Sequence, residues 1–393
     1  MIEPFAATGW RPAVRVGADV LVQWGRIQQA LELAHPGGRD GEPRALWPDY
    51  AEVLVKAGRI DEAIDVLGPY LRDHWVLRDL VRMTEGQGRD ERVLEVLAPI
   101  AAGFRTGRDG GWGLWKALTL QALVLERSGQ ADEAIRCLGA TVAAGRYGPQ
   151  NTVEFYAELL ARHGRVEELR ELATGPQQSS AVPAYVKALE DLGRAWHAEA
   201  FLRGLIATLE YPTRYEYQLL ELLARQGRLD EAVAAVAHTF DDLNDSNLLQ
   251  SAMLVLAEHG HHARALALTE GRSAEFIEES EHWLPSNRWW LMGETGQCRE
   301  AIAEVEAMTD IEPPSPRDVD DRNATIGRLL AKDGREEEAI AYLRRCSGFW
   351  ASTELALVLV GQGRCAEAIA AVPGVAAQRE EDRRVRDYWD AWR

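Results

Sequence analysis

Apolar residues recur along this chain at three- and four-residue spacing, in stretches such as YAEVLVKAG (residues 50–58) and EEEAIAYL (residues 336–343). That spacing places one apolar stripe along an α-helix. The stripes come in pairs, and a glycine separates the members of each pair. The glycines are Gly25, Gly58, Gly88, Gly129, Gly164, Gly193, Gly227, Gly260, Gly296, Gly334 and Gly363, which span 363 − 25 = 338 residues in ten intervals. A period near 34 residues is the mark of a repeat array, in which each unit packs on its neighbours and no single core grows with the chain.

Aligning the units on their glycines assigns a task to each position. Leu stands four residues before the glycine in nine of eleven units, and Ala five residues after it in nine. Glycine ends the first helix because it takes a left-handed conformation without a Cβ penalty. The small Ala lets the two helices approach, where a larger side chain would cost about 1–3 kcal/mol. Glu follows the glycine by four residues in seven units, in the first turn of the second helix, facing the positive end of its dipole. Each unit therefore reads as helix, tight turn, helix.

The clearest copies are GRIDEAI from Gly58, GRLDEAV from Gly227, GREEEAI from Gly334 and GRCAEAI from Gly363. With the period and the small residue early in the second helix, they resemble the tetratricopeptide repeat over roughly residues 12–375. Trp47, eleven residues before Gly58, stands where that family places its first-helix aromatic. The resemblance implies an all-α fold, a right-handed α-α superhelical solenoid of about eleven helix-turn-helix repeats over residues 1–375. A charged capping helix is expected at 376–393, where Tyr388, Trp389 and Trp392 would cover the last apolar face. The family's closing proline is essentially missing, and Val81, Val186, Leu220, Met253 and Trp289 replace its small mid-helix residue. Gly68-Pro69 and Pro99 are expected to interrupt second helices early. The two longest intervals, 41 and 38 residues, hold an expected glycine-rich loop at 103–116 and an acidic, proline-rich connector at 309–321.

The acidic surplus, 62 − 44 = 18 charges, opposes generic binding to nucleic acid or anionic membrane and makes a basic partner the natural complement. Four cysteines without a CxxC form no disulfide framework or zinc site. The first residues carry no secretory signal, and no apolar run reaches the roughly 18–20 residues of a membrane span, so the chain is expected to be cytoplasmic. Glu258, His259, His261 and His262 flank the turn at Gly260 without HExxH spacing. No Gly-x-Ser-x-Gly elbow occurs, and the recurrent carboxylates are repeat features. No catalytic, metal or cofactor residue is assigned. The alternatives to a binding scaffold are an all-α enzyme with an enclosed site and an RNA-binding helical repeat protein like the pentatricopeptide repeats, the latter opposed by the net charge.

In tetratricopeptide arrays the first helices line the concave face, with ligand contacts largely six, ten and thirteen residues before the turn glycine. Carried over, the first of these positions gives Arg82, Glu158, Lys187, Glu221, Trp290 and Arg328. The second gives Arg78, Glu154, Tyr217 and Gln250, and the third Trp75, Lys116, Asn151, Asn247 and Trp283. Charged, amide and aromatic groups mix along this stripe, which suits an extended peptide or protein segment. The Lys/Asn arrangement by which some members clamp a C-terminal carboxylate is not reproduced. Trp289 and Trp290 lie about 100° apart on a helix, so one is expected in the core and the other on the inner surface. The resemblance thus implies a non-catalytic scaffold or regulatory adaptor that binds protein or peptide, with self-association left open.

Overall fold

The computed structural model describes residues 11–37, 43–105, 115–145, 151–240, 246–272, 276–277, 280, 283–308, 315–374, 380 and 383–384. The chain divides into two compact units, Met1–Ala198 and Glu199–Arg393. In the first, α1 (Arg11–Gln23) pairs with α2 (Ile27–Ala34), α3 (Pro43–Lys56) with α4 (Ile60–Leu67), and α5 (His74–Met83) with α6 (Asp90–Arg105). Next come α7 (Lys116–Arg127) with α8 (Ala131–Ala143), α9 (Asn151–Arg162) with α10 (Val166–Thr174), and α11 (Gln178–Asp191). Next in the chain is α12 (Ala195–Thr208), within which the division falls. The second unit continues with α13 (Thr213–Arg225) and α14 (Leu229–Val236), α15 (Ser246–Glu258) and α16 (His262–Ala267), and α17 (Leu284–Glu294) and α18 (Cys298–Ala307). It closes with α19 (Pro316–Lys332), α20 (Glu336–Leu343), α21 (Phe349–Gly361) and α22 (Cys365–Ala371). Among the described residues there are no strands, and each pair of helices brackets one marker glycine.

All eleven marker glycines adopt φ between 66° and 81°. In ten of the eleven turns the N–H of the residue after the glycine donates to the carbonyl four residues before it, at 2.8–3.0 Å. Arg59 N to Leu54 O at 2.9 Å, with Gly58 N to Val55 O, is one such pair, a Schellman closure that satisfies last-turn carbonyls. The recurrent Leu therefore serves twice, its carbonyl closing the turn and its side chain filling the core. Eight of the nine are buried, and all nine of the recurrent Ala are. Only Leu21, in the first pair, is half-exposed. Each buried leucine contributes on the order of 1.5–3 kcal/mol.

The third turn, at Gly88, departs from the others. Thr84 replaces the leucine, and Arg127 reaches in from α7. Its guanidinium donates to Val81 O at 2.6 Å, to Asp90 Oδ1 at 2.9 Å and to Thr84 Oγ1 at 3.2 Å. A side chain from the next pair thus satisfies a last-turn carbonyl of α5 and braces the start of α6.

Within each unit, second helices pack on the first helix of the following pair, as α4 does on α5 and α20 on α21. First helices also pack on first helices, α1 on α3, α3 on α5 and α5 on α7, and in the second unit α19 on α21. Each unit is therefore an all-α solenoid with a layer of first helices and a layer of second helices. Near the start of the first unit, Trp47 stacks on Tyr70 with ring centroids 5.8 Å apart, while His35 and Tyr50 meet it edge-on. That cluster joins α3 to the segments after α2 and α4.

Several expectations change. Pro99 lies inside α6, which runs on to Arg105, so its missing N–H costs one bond and does not end the helix. The Gly68-Pro69 step does end α4, which passes into a 3-10 turn at Gly68–Tyr70. In the expected loop at 103–116, residues 103–105 belong to α6, Lys116 opens α7, and 106–114 lie outside the described residues. In the expected connector at 309–321, 309–314 lie outside them, but α19 begins at Pro316 with Ser315 as its cap. Ser315 Oγ accepts from Asp318 N at 3.1 Å, and Pro at the first helical position is pre-organised for the helix.

Asp320 in α19 is buried and accepts from the N–H groups of Trp350 and Ala351, both at 2.8 Å. It caps α21 in place of Gly348, which has φ 132° and would place a Cβ inside the Asp320 carboxylate. The expected capping helix at 376–393 lies almost wholly outside the described residues. The last described pair leaves Leu357, Val360 and Val372 exposed, and Ile369 is 77% exposed where Ile340, its equivalent one pair earlier, is 2% exposed. No helix among the described residues is long and apolar enough to cross a membrane.

Candidate functional site

In each unit the first helices present an open face. Position four before the glycine points into the core, whereas position six before it is at least partly exposed in all eleven pairs, from Asp19 in α1 to Leu357 in α21. A displacement of two residues turns a side chain by about 200° on a helix, so the leucine and the open position face opposite ways.

In the first unit this face is charged and ordered. Trp75, Arg78 and Arg82 share one face of α5, and Asp73 fixes the start of that helix by accepting from Trp75 N at 2.8 Å. The Arg78 guanidinium carbon lies 4.4 Å from the Trp75 ring centroid, and Lys116 Nζ, on the first residue of α7, lies 5.0 Å from it and 5.7 Å from the Trp115 ring. The indole itself is 42% exposed. Arg82 approaches Glu52 at 3.5 Å and Asp79 at 3.7 Å. Glu52 also meets Lys56 at 3.1 Å, and Lys56 reaches Asp19 at 2.6 Å, which carries the charge pattern onto α3 and α1. Burial pushes the Glu52 carboxyl up, but the hydrogen bond from Lys56 and the charges of Lys56, Arg82 and Arg15 outweigh it and hold its pKa below the ordinary value.

Farther along, Glu158 is exposed beside Arg162, and Lys187 pairs with Asp191. Arg162 donates to Glu126 at 2.8 and 2.9 Å. Glu154 is half-buried, and Asn151 opens α9 with its side chain outside the described part.

In the second unit, the Tyr217 hydroxyl donates to Glu221 Oε1 at 2.7 Å, which with desolvation raises the phenol pKa. Asn247 is exposed and Gln250 half-buried on α15. Trp289 is 5% exposed and Trp290 37% exposed, so the two neighbours divide between core and surface. Trp290 Nε1 donates to Glu294 Oε1 at 3.1 Å, and the hydrogen bond from Lys332 holds the Glu294 carboxyl below its ordinary range. Arg328 meets the buried Glu354 at 3.0 Å.

Trp283 corrects an expectation of surface placement. It is 7% exposed and meets Phe276 edge-on at 6.5 Å. It immediately precedes α17, where the chain turns inward, so counting thirteen residues back from the glycine overruns the helix. The structure therefore brings Trp75, Arg78, Arg82 and Lys116 together on one face, and leaves Glu158, Lys187 and Arg328 in separate pairings.

Sequence reasoning passed over a second recurrent feature. Arg follows the marker glycine in eight of eleven units. It pairs with the recurrent glutamate three residues later, as Arg59 with Glu62 at 2.5 Å, Arg228 with Glu231 at 2.6 Å and Arg364 with Glu367 at 2.8 Å. It also reaches the preceding pair: Arg89 to Asp61 at 3.0 Å, Arg165 to Asp132 at 3.2 Å and Arg364 to Glu337 at 2.9 Å. The signal lies in the Gly-Arg-x-x-Glu phrase, whose arginine finds its second partner one pair away. Among the described residues no group of three or more His, Cys, Asp or Glu is placed to hold a metal ion. His259 Nδ1 instead lies 2.9 Å from Val255 O.

A family model described as Tetratricopeptide repeat matches residues 322–348, most of one pair of helices. No curated protein matches the chain. Among solved structures the chain is similar to the Naa15/Naa10 complex bound to HypK-THB, with 15% identity over 92% of this chain and 62% of the other, at a TM-score of 0.38. It is also similar to the pentatricopeptide repeat protein PPR10 from maize, with 16% identity over 91% and 58% at a TM-score of 0.38. The APC/C hetero-tetramer Cut9-Hcn1 gives 12% identity over 95% and 83% at a TM-score of 0.27. The chain spans less than two thirds of the length of the first two.

Proposed function

We propose that this tetratricopeptide-like repeat chain is a non-catalytic scaffold or adaptor that binds a protein or extended peptide on an open face of its first helices. Repeats of this kind typically mediate protein interactions. The observation that carries the reading is the elevenfold recurrence of an accessible position six residues before the turn, opposite the buried leucine. Trp75, Tyr217 and Trp290 stand exposed on that face, and aromatic side chains supply large contact area at low entropic cost. Helices stacked on one another hold these groups in place before a partner arrives, so less ordering is left for the binding step.

The test is affinity purification from the native organism with mass spectrometry, comparing the wild-type chain with a Tyr217→Ala/Trp290→Ala variant. The variant should lose specific partners while its helicity and melting temperature stay unchanged. Parallel loss of partner and stability would make both residues structural and remove them from the site. Recovery of RNA in place of protein would overturn the reading.

A further inference from the structure

We infer that the patch of Trp75, Arg78, Arg82 and Lys116 receives an acidic segment of a protein partner, an inference that rests on the scaffold reading above and names the chemistry it would recognise. In a chain with eighteen more acidic than basic residues, most cations are closely paired. Arg127 meets Asp90 at 2.7 Å, Arg162 meets Glu126 at 2.8 Å and Arg364 meets Glu367 at 2.8 Å. The patch is different. Arg78 lies 3.9 Å from Asp79, and Arg82 lies 3.5 Å from Glu52 and 3.7 Å from Asp79. Lys116 has no carboxylate within ion-pair distance among the described residues, and rests against the Trp75 and Trp115 rings.

An indole face attracts a cation but leaves its outward N–H groups free to donate. An incoming carboxylate can therefore take charge-assisted hydrogen bonds from Arg78 and Lys116 without first breaking a tight internal pair. The side chains are also positioned in advance. Asp73 caps α5 at one end and Arg127 secures its other end, while the ring holds both cations over itself. Trp75, itself partly exposed, offers apolar contact to the stem of a Glu or to a neighbouring aromatic residue. A short acidic segment confines its charge to the patch, within the Debye length of about 8–10 Å at physiological salt. A nucleic-acid strand would run its phosphates on across an acidic molecule, so the sign of the surrounding surface favours the peptide.

The experiment is selection of a random peptide library displayed on phage against the full-length chain, repeated with Arg78→Ala/Lys116→Ala and with Arg136→Ala at an exposed position outside the patch, all checked by circular dichroism. Wild type and the Arg136 variant should enrich peptides rich in Asp and Glu. The Arg78/Lys116 variant should recover about tenfold fewer of them, the loss expected from one strong charge-assisted contact. A separate titration with a decamer of oligo-uridine should show no binding that depends on Arg78 and Lys116. Enriched peptides without an acidic bias, equal recovery on the Arg78/Lys116 variant, or oligo-uridine binding through these residues would each overturn the inference while leaving peptide recognition standing. Failure of any version to retain any peptide would overturn the scaffold reading with it.

Discussion

At the scale of single residues, Arg127 shows how one side chain can stand in for a missing backbone bond. The Gly88 turn lacks the closure that the recurrent leucine carbonyl gives elsewhere, and the guanidinium bonds to Val81 O, Asp90 and Thr84 in its place. Arg127 and Asp90 are both largely buried. Truncation would leave the Asp90 carboxylate without this donor and the Val81 carbonyl with only the longer bond from Thr84 Oγ1, at a cost of about 1–3 kcal/mol. Arg127→Ala should therefore lower the urea midpoint sharply, and Arg127→Lys should recover part of the loss. Arg136→Ala, at an exposed position on α8, should change stability by less than about 0.5 kcal/mol. Equal effects from the two alanine variants would show that the Gly88 turn does not depend on Arg127. The same variant tests the acidic-segment site indirectly, since a loosened α5 would misplace Trp75 and Arg78.

At the scale of helices and turns, the second-helix starts form an electrostatic ladder whose strength depends on pH. The hydrogen bond from Arg364, joined by Arg344 and opposed by desolvation, holds Glu367 down at about 2. Outside that ladder, near the end of the first helix α7, Glu126 is also lowered, chiefly by Arg162 against the opposing effect of burial, with His163 adding to the pull. Because the folded pKa lies below the unfolded one, the stabilisation is complete above the ordinary glutamate range and is lost as pH falls through the folded value. For Glu367 that window runs from 4.5 down to about 2. Denaturant melts at pH 7 and pH 3 should show wild type losing more stability on acidification than Glu367→Gln, and identical losses would exclude the pair as a contributor. The hairpins themselves were legible in the sequence, since Gly, Leu and Ala at fixed offsets encode turn closure, core and close approach together. The arginine of the ladder was equally visible as a letter, but its partner one pair away is not a local relation. Trp283 was misplaced for a related reason: a fixed offset from the glycine assumes a first helix of standard length. The Ser315-Pro316 start of α19 carried its own cap signal, which a reading of proline as connector overrode.

At the scale of the molecule, burial at one repeat position changes along the array. Ile340 and Ile369 occupy the same repeat position, yet the first is enclosed by the following pair and the second stands open. Ile340→Ala should cost about 2–5 kcal/mol, as cavity-forming changes do, whereas Ile369→Ala should stay within about 0.5 kcal/mol. Comparable losses in chemical denaturation would show that residues beyond 374 cover the last pair. The cap that Asp320 places on α21 has a consequence for how such a chain can be rearranged. At most turns the closing bonds stay inside one hairpin, so a unit copied or removed takes its own closure with it. The seam between α20 and α21 differs, because the residue that starts α21 belongs to α19, on the far side of α20. A deletion or recombination between Leu343 and Phe349 would strand Gly348 without its carboxylate. The α19–α20 and α21–α22 hairpins are therefore tied into one structural block, which a break at this seam would divide.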